Sequence, residues 1–494
     1  MTPTAPEWSR QRPTRAAAAG RRGAVAAARR ASVEAGLGMY ERGGNAMDAA
    51  IAAAFVAGVV EPMETTLAGS GFLLVSDPRA AAPACVEFGP RAPAAARPDM
   101  YRIDTARSVD RGLGVSLVVD DANVQGAGAA GVPATIPGLA AALARFGTLP
   151  LDIVLGPAIA AAYEGFPADS YFALEALANL AALRADPGAA AAFLVDGLPP
   201  AAPHLGTATL GIAHPVRQPA LGRTLEILAA RGPEAVRTGE IAGALLATHR
   251  ERGGLLAAED LAAAEPVIAA PLTLRLAGGA TACVPAAPSG GITILQILGI
   301  LRALRGEGRG RVRDFVMASW HAFADRYHWL GDPAGVPVPM QGMLAPGYLA
   351  GIARDIAAGA PPPLPAPGEG LPWDAFARRA VHDPWPHEAA GTAPAWRPAG
   401  GTEPPAGTVH VSAMDADGMA VSITHTAANH FGAKVVCPRS GLLLDAAMGW
   451  FNARPGAANS IAPRRRPLAN MGPALLIGQD GRAHAALGAP GGRR

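Results

Sequence analysis

The chain has 494 residues, half of them hydrophobic and 17% charged, with a formal net charge of +2. That composition is too apolar for a disordered chain, long enough for two ordinary domains or one with an extensive core, and too nearly neutral to argue for a nucleic-acid partner. Three widely spaced cysteines, Cys85, Cys283 and Cys437, make neither a disulfide framework nor a zinc pattern and are read as buried thiols.

Arginines from Arg10 to the pair Arg29-Arg30 enclose only the short apolar run Ala24 to Ala28, so no export signal is expected. The longest apolar run, Ala49 to Val60, falls well short of the roughly 20 residues that span a bilayer. It predicts a buried helix, no membrane partner and a cytoplasmic protein. The segment from about Ala16 to Val60 is expected to be helical, broken at Arg42-Gly43-Gly44-Asn45, which closes one helix and opens the next. Phe72 to Ser76, between a glycine cluster and Asp77-Pro78, predicts a strand. Helices then dominate from about Ile136 to Leu261, with a strand pair near Leu272 to Val284. A further helix follows Pro288-Ser289-Gly290-Gly291, and Arg313 to Leu330 continues helical. From about Gly359 to Gly407, prolines from Pro361-Pro362-Pro363 to Pro404-Pro405 forbid regular structure and mark a linker. It ends at Thr408 to Met414, a strand, followed by a turn at Asp415-Ala416-Asp417-Gly418 and a returning strand, Met419 to Thr424. Helices first and antiparallel strands later give an α+β class with layered packing.

Two motifs fail in context. Gly126-Ala127-Gly128-Ala129-Ala130-Gly131 matches a dinucleotide glycine pattern, but Pro133 and Pro137 stand where the phosphate-binding helix would run. No cofactor is expected. His425 and His430 have no carboxylate or cysteine at metal-ligand spacing, so they are read as surface or core histidines and no metal is expected.

Gly407-Thr408, at the junction of linker and strand, has chemical meaning. A threonine hydroxyl can attack the carbonyl before it, shift the acyl group to oxygen and release a new amino terminus when the ester is hydrolysed. Glycine in front tolerates the distorted backbone this needs. The freed α-amino group has an ordinary pKa of about 7.7–8.0, so nucleophile and general base can sit on one residue.

Ordered pieces along the chain carry a resemblance. They run from Arg42-Gly43-Gly44-Asn45-Ala46-Met47-Asp48 and Val60-Glu61-Pro62 to Gly69-Ser70-Gly71-Phe72 and Gly131-Val132-Pro133-Ala134-Thr135. Phe146-Gly147-Thr148-Leu149-Pro150, Pro288-Ser289-Gly290-Gly291, Ala324-Asp325-Arg326 and Leu330-Gly331-Asp332-Pro333 come next. Thr408-Val409-His410, Phe431-Gly432, Arg466-Pro467-Leu468 and Pro490-Gly491-Gly492 complete the series. In this order the chain resembles the gamma-glutamyltransferase (gamma-glutamyltranspeptidase) family of N-terminal nucleophile hydrolases.

The resemblance implies a four-layer αββα sandwich, cut between Gly407 and Thr408 into fragments 1–407 and 408–494 that stay associated as a heterodimer. It implies Thr408 as nucleophile and base, Thr426 as its hydrogen-bond partner, and the N–H groups of Gly491 and Gly492 as the oxyanion hole. It also implies strand and helix beyond Gly492 that this sequence does not contain, leaving a sheet edge without its neighbour. The residues that hold a gamma-glutamyl group in the family are largely replaced. Gly89 stands after Phe88 where an arginine is expected, with Arg91 two residues on; Trp450 takes the acidic position. Ala447 takes a glutamine position, Ala469-Asn470 a serine pair, and Ala428, with Asn429 beside it, an asparagine. The implied enzyme is therefore an amide hydrolase for a small or anionic acyl group, as in oxamate amidohydrolase and acylase relatives, with Arg91, Asn429, Trp450 and Asn470 as substrate-binding candidates. A gamma-glutamyl transferase or hydrolase with an altered pocket, and an unprocessed, silent homologue that binds a ligand, are the alternatives.

Overall fold

The computed structural model describes residues 18–105, 117–200, 215–304, 312–336, 338–359 and 407–490. Most of the expected linker, and Gly491 and Gly492, lie outside the described residues. Twelve strands are present among them: β1 (Gly23–Ala26), β2 (Ser70–Ser76), β3 (Ala84–Phe88), β4 (Phe166–Pro167), β5 (Pro215–Val216), β6 (Val267–Ala269), β7 (Leu272–Arg275), β8 (Thr281–Val284), β9 (Val409–Asp415), β10 (Ala420–Thr426), β11 (Ala474–Ile477) and β12 (Ala483–Leu487). Ten of them build two antiparallel sheets, ordered β1-β9-β10-β2-β3-β6 and β12-β11-β8-β7; β4 and β5 form a small pair.

Strand periodicity explains how the layers meet, because alternate side chains face opposite sides of a sheet. Leu73, Val75, Val86, Val411, Ala413, Val421 and Ile423 point from the six-stranded sheet into the main core with helix Ala46–Val60. Leu74, Cys85 and Ala420, on the opposite parity, meet Cys283, Leu475, Ile477 and Ala483 of the second sheet. The Ser422 hydroxyl donates across this inner layer to Leu487 O at 2.9 Å. Helices Gly291–Ala303 and Pro346–Ala357 cover the second sheet's side, with a core around Ile300, Leu349 and Ile352. The result is the expected αββα sandwich.

Helix Ala46–Val60 is buried along its whole length, which its uninterrupted apolar run requires. It starts with a capping box: Asn45 Oδ1 accepts from the Met47 and Asp48 amides, and Asp48 Oδ2 accepts from the Asn45 amide at 2.8 Å. The expected helix break at Arg42-Gly43-Gly44-Asn45 falls here. One expectation is corrected. Residues 23 to 26, read as helical, form β1 on the edge of the large sheet, paired with β9. Their burial alternates, but alanine on both faces gives the sequence too little contrast to show a period of two.

Candidate active site

The hairpin of β9 and β10 creates the site. Its register pairs His410 with Thr424 and Val409 with His425, so the next positions along are Thr408 and Thr426. Alternation puts Thr408 and His410 on the same face as Thr424 and Thr426. Asp415 Oδ1 fixes the turn by accepting from the Asp417 and Met419 amides, while its Oδ2 accepts from Ala46 N at 2.9 Å. The sheet is thereby tied to the start of the buried helix.

Thr408 and Thr426 are buried. Their hydroxyls lie 3.2 Å apart, and each donates to Gly407 O at 2.7 Å. Ala428 N donates to Thr426 Oγ1 at 2.8 Å, which leaves that hydroxyl's hydrogen for the Gly407 carbonyl. On the nitrogen side of the same peptide bond, Thr408 N donates to Glu64 Oε2 at 2.7 Å. The Gly407–Thr408 bond is thus gripped at both ends: two hydroxyls polarise its carbonyl and a carboxylate holds its amide. The attacking oxygen needed for an acyl shift is already at the carbonyl.

Glu64 lies in the loop that leaves helix Ala46–Val60, and sequence reasoning missed it. It sits three residues past Glu61 with no spacing rule linking it to Thr408; only the fold brings the two together. Tyr171 donates a short hydrogen bond to Glu64 Oε1, and His430 lies between Glu64 (Nε2 to Oε1, 3.8 Å) and Glu175, with which its Nδ1 makes a short contact. His425 faces the other way, its Nδ1 2.8 Å from Thr65 Oγ1. Burial, with His410 nearby, pushes His425 down to about 3, and burial pushes His410 down to about 4. Both imidazoles are therefore neutral at neutral pH. Among the described residues no group of histidine, cysteine and acidic side chains could hold a metal ion.

The remaining sequence candidates divide. Ala428, Trp450 and Ala469, three positions where the resemblance implies polar residues, converge in one apolar cluster with Phe72, Ala446 and Met471. Since Ala428 N bonds Thr426, this cluster adjoins the threonine pair. Asn470 stands beside it, its Oδ1 accepting from the buried Arg326 at 2.7 Å. The Asn429 side chain is engaged locally, accepting from His430 N at 2.9 Å. Arg91 is half-buried and lines an open pocket with Glu87, Phe88, Glu265 and Arg466, and its carbonyl and the Ala447 side chain both lie against Gly131. Burial and the neighbouring Arg466 lower its pKa. Among the described residues no hydrogen bond or ion pair joins Arg91 to Thr408 or Thr426.

A family model described as Gamma-glutamyltranspeptidase matches residues 32–494. The chain is 30% identical over 498 residues to a glutathione hydrolase proenzyme of Escherichia coli (strain K12), covering 96% of this chain and 76% of that protein. It is 32% identical over 487 residues to the acylase ACY 1 proenzyme of Pseudomonas sp. (strain V22), covering 97% and 78%. A solved cephalosporin acylase from Bacillus halodurans superposes with a TM-score of 0.74 at 22% identity, over 96% of this chain and 78% of that one, a likeness of fold.

Proposed function

Because the chain belongs to the gamma-glutamyltranspeptidase family, we propose that Thr408 cuts the chain at its own amino side and then serves as nucleophile of an amide hydrolase whose acyl substrate is not gamma-glutamyl. The observation that carries this reading is the Gly407 carbonyl, which accepts from both threonine hydroxyls at 2.7 Å. In the first reaction Thr408 Oγ1 bonds to the Gly407 carbon, with Thr426 donating to the carbonyl oxygen as it gains charge. The C–N bond breaks, and water cleaves the resulting ester. Fragments 1–407 and 408–494 remain together as a heterodimer. In turnover the free α-amino group accepts the Thr408 hydroxyl proton, and the same oxygen attacks a substrate amide. Backbone N–H groups of Gly491 and Gly492 supply the oxyanion site.

The apolar cluster supports the substrate half of the proposal. A glutamyl head carries an ammonium that must be paired when desolvated, and losing such a partner costs about 2–5 kcal/mol. Trp450 offers at most about 0.5–2 kcal/mol of cation–π attraction in return. An acyl group lacking that ammonium suits the cluster better, with Asn470 as its polar contact. Arg91 remains the candidate contact for an anionic acyl group.

The test begins with denaturing electrophoresis and N-terminal sequencing of the purified protein. A fragment starting at Thr408 is expected, with none from Thr408→Ala and about a hundredfold slower appearance from Thr426→Ala. Persistence of the full-length wild-type chain sinks the proposal. Initial rates on glutathione and on a panel of neutral and anionic acyl amides, oxamate included, decide the substrate class; glutathione cleaved best restores the gamma-glutamyl reading.

A further inference from the structure

Glu64 gives the Thr408 nitrogen a fixed seat. Building on the proposed role of Thr408, on which the role of Glu64 rests, we propose that the Glu64 carboxylate holds the leaving amide N–H of Thr408 in the precursor and pairs with the free α-amino group once the chain is cut. The observation is the 2.7 Å hydrogen bond from Thr408 N to Glu64 Oε2, in a side chain only 12% exposed. The other carboxylate oxygen is engaged by Tyr171, so Oε2 is turned toward Thr408.

The cut makes this arrangement useful. As Thr408 Oγ1 bonds to the Gly407 carbon, the hydrogen it gives up passes to the amide nitrogen, which leaves as a primary amine retaining its own hydrogen. Water then hydrolyses the ester, returning a hydrogen to Oγ1 and leaving Gly407 as a carboxylate. The amine takes a proton from solvent when it becomes ammonium. A carboxylate already in contact stabilises positive charge as it grows on that nitrogen and needs no side-chain movement. In the mature protein the same contact stabilises the ammonium formed when the amine accepts the Thr408 proton and raises the α-amino pKa from its ordinary 7.7–8.0, so the free base that turnover uses becomes populated as pH rises.

The surrounding charges act on both partners. Tyr171 and Glu175 come from helix Ser170–Ala178, His430 from the loop after β10, and Glu61 and Arg29 flank the Glu64 loop. Arg29 is engaged by Asp169, lies 3.7 Å from Glu61, and also acts electrostatically on Glu64. Tyr171 and His430 meet Glu64 at Oε1, which leaves Oε2 to the Thr408 nitrogen.

Lys434 is the only lysine in the sequence, which simplifies the test. Reductive ¹³C-methylation of the processed protein labels the fragment from 408 onward at two amines, Thr408 and Lys434, and pH titration by NMR reads the first directly. With Glu64→Gln at an unchanged melting temperature, processing is expected about tenfold slower and the Thr408 amine is expected to titrate about one pH unit lower. Glu64→Asp keeps the charge and is expected to keep the titration near wild type. The titration decides: an unchanged Thr408 titration in Glu64→Gln overturns the proposal, even if processing slows, because a merely structural defect would do that. Should Glu64→Gln not fold, Tyr171→Phe is used, since Tyr171 is 39% exposed. Removing its hydrogen bond concentrates charge on Glu64 and raises the Thr408 titration; no change again overturns the proposal. A wild-type protein that never yields a Thr408 fragment overturns the role of Thr408 itself, a distinct outcome.

Discussion

A Cβ added to Gly407 would lie 2.6 Å from Met63 O and 2.7 Å from Glu64 Cα, contacts that backbone atoms cannot relieve by rotating. Gly407→Ala is therefore expected to push the peptide bond off its two hydroxyls. A misplacement near 1 Å costs about a hundredfold in rate, to be read as slowed fragment appearance on a denaturing gel. Ala428 presents the opposite case. It has φ +67°, in the left-handed region, within a loop where Phe431 and Lys434 also have positive φ. An alanine there carries about 1–2 kcal/mol of backbone strain that glycine avoids. Ala428→Gly is expected to raise unfolding free energy by about 1 kcal/mol in urea titrations. Since Ala428 N fixes Thr426, the strain sits beside the threonine pair.

At the scale of elements, helix Ala46–Val60 depends on its first turn as much as on its apolar length. Asn45→Ala removes the acceptor for two amides and is expected to cost about 1 kcal/mol, visible as a lower urea midpoint at an unchanged slope. That helix, its cap and the β9–β10 hairpin were legible because each carries a local signal: an apolar run, Asn45 with Asp48, and alternation around an Asp-Gly turn. Thr408 and Thr426 were legible through ordered motifs, not through their own spacing. β1 was not, since alanine hides the alternation. Glu64 and the convergence of Ala428, Trp450 and Ala469 depend on long-range packing that no local window contains.

Across the molecule, buried ionisable groups pull stability in two directions. Burial raises Glu61, Asp325 and Asp445 each to about 7. A carboxyl raised in this way stabilises below its unfolded pKa of about 4, and that contribution is lost as pH rises toward 7. Burial lowers His249, His410 and His425 to about 4, 4 and 3. Those histidines stabilise above their unfolded pKa of about 6.5, and the contribution is lost as pH falls through the folded values. Between roughly pH 4.5 and 6.5 the two sets oppose each other. Asp445→Asn keeps an oxygen to accept from Gly131 N, now bonded at 2.7 Å, and removes one titration. Its stability relative to wild type is expected to climb with pH by up to about 1.4 kcal/mol per unit, measured by urea unfolding at pH 5, 6 and 7. A difference that stays level across that range would contradict the shift.

The strand order β1-β9-β10-β2-β3-β6 has a consequence for a chain divided before Thr408. The hairpin of the shorter piece would lie wedged between β1 and β2 of the longer one, with a ladder on each flank. Pulling it out would open two raw sheet edges at once, so parting the pieces amounts to unfolding the sheet. Dilution alone would leave them joined, and separately made pieces would have to find one another while the gap still exposes unpaired backbone that invites aggregation.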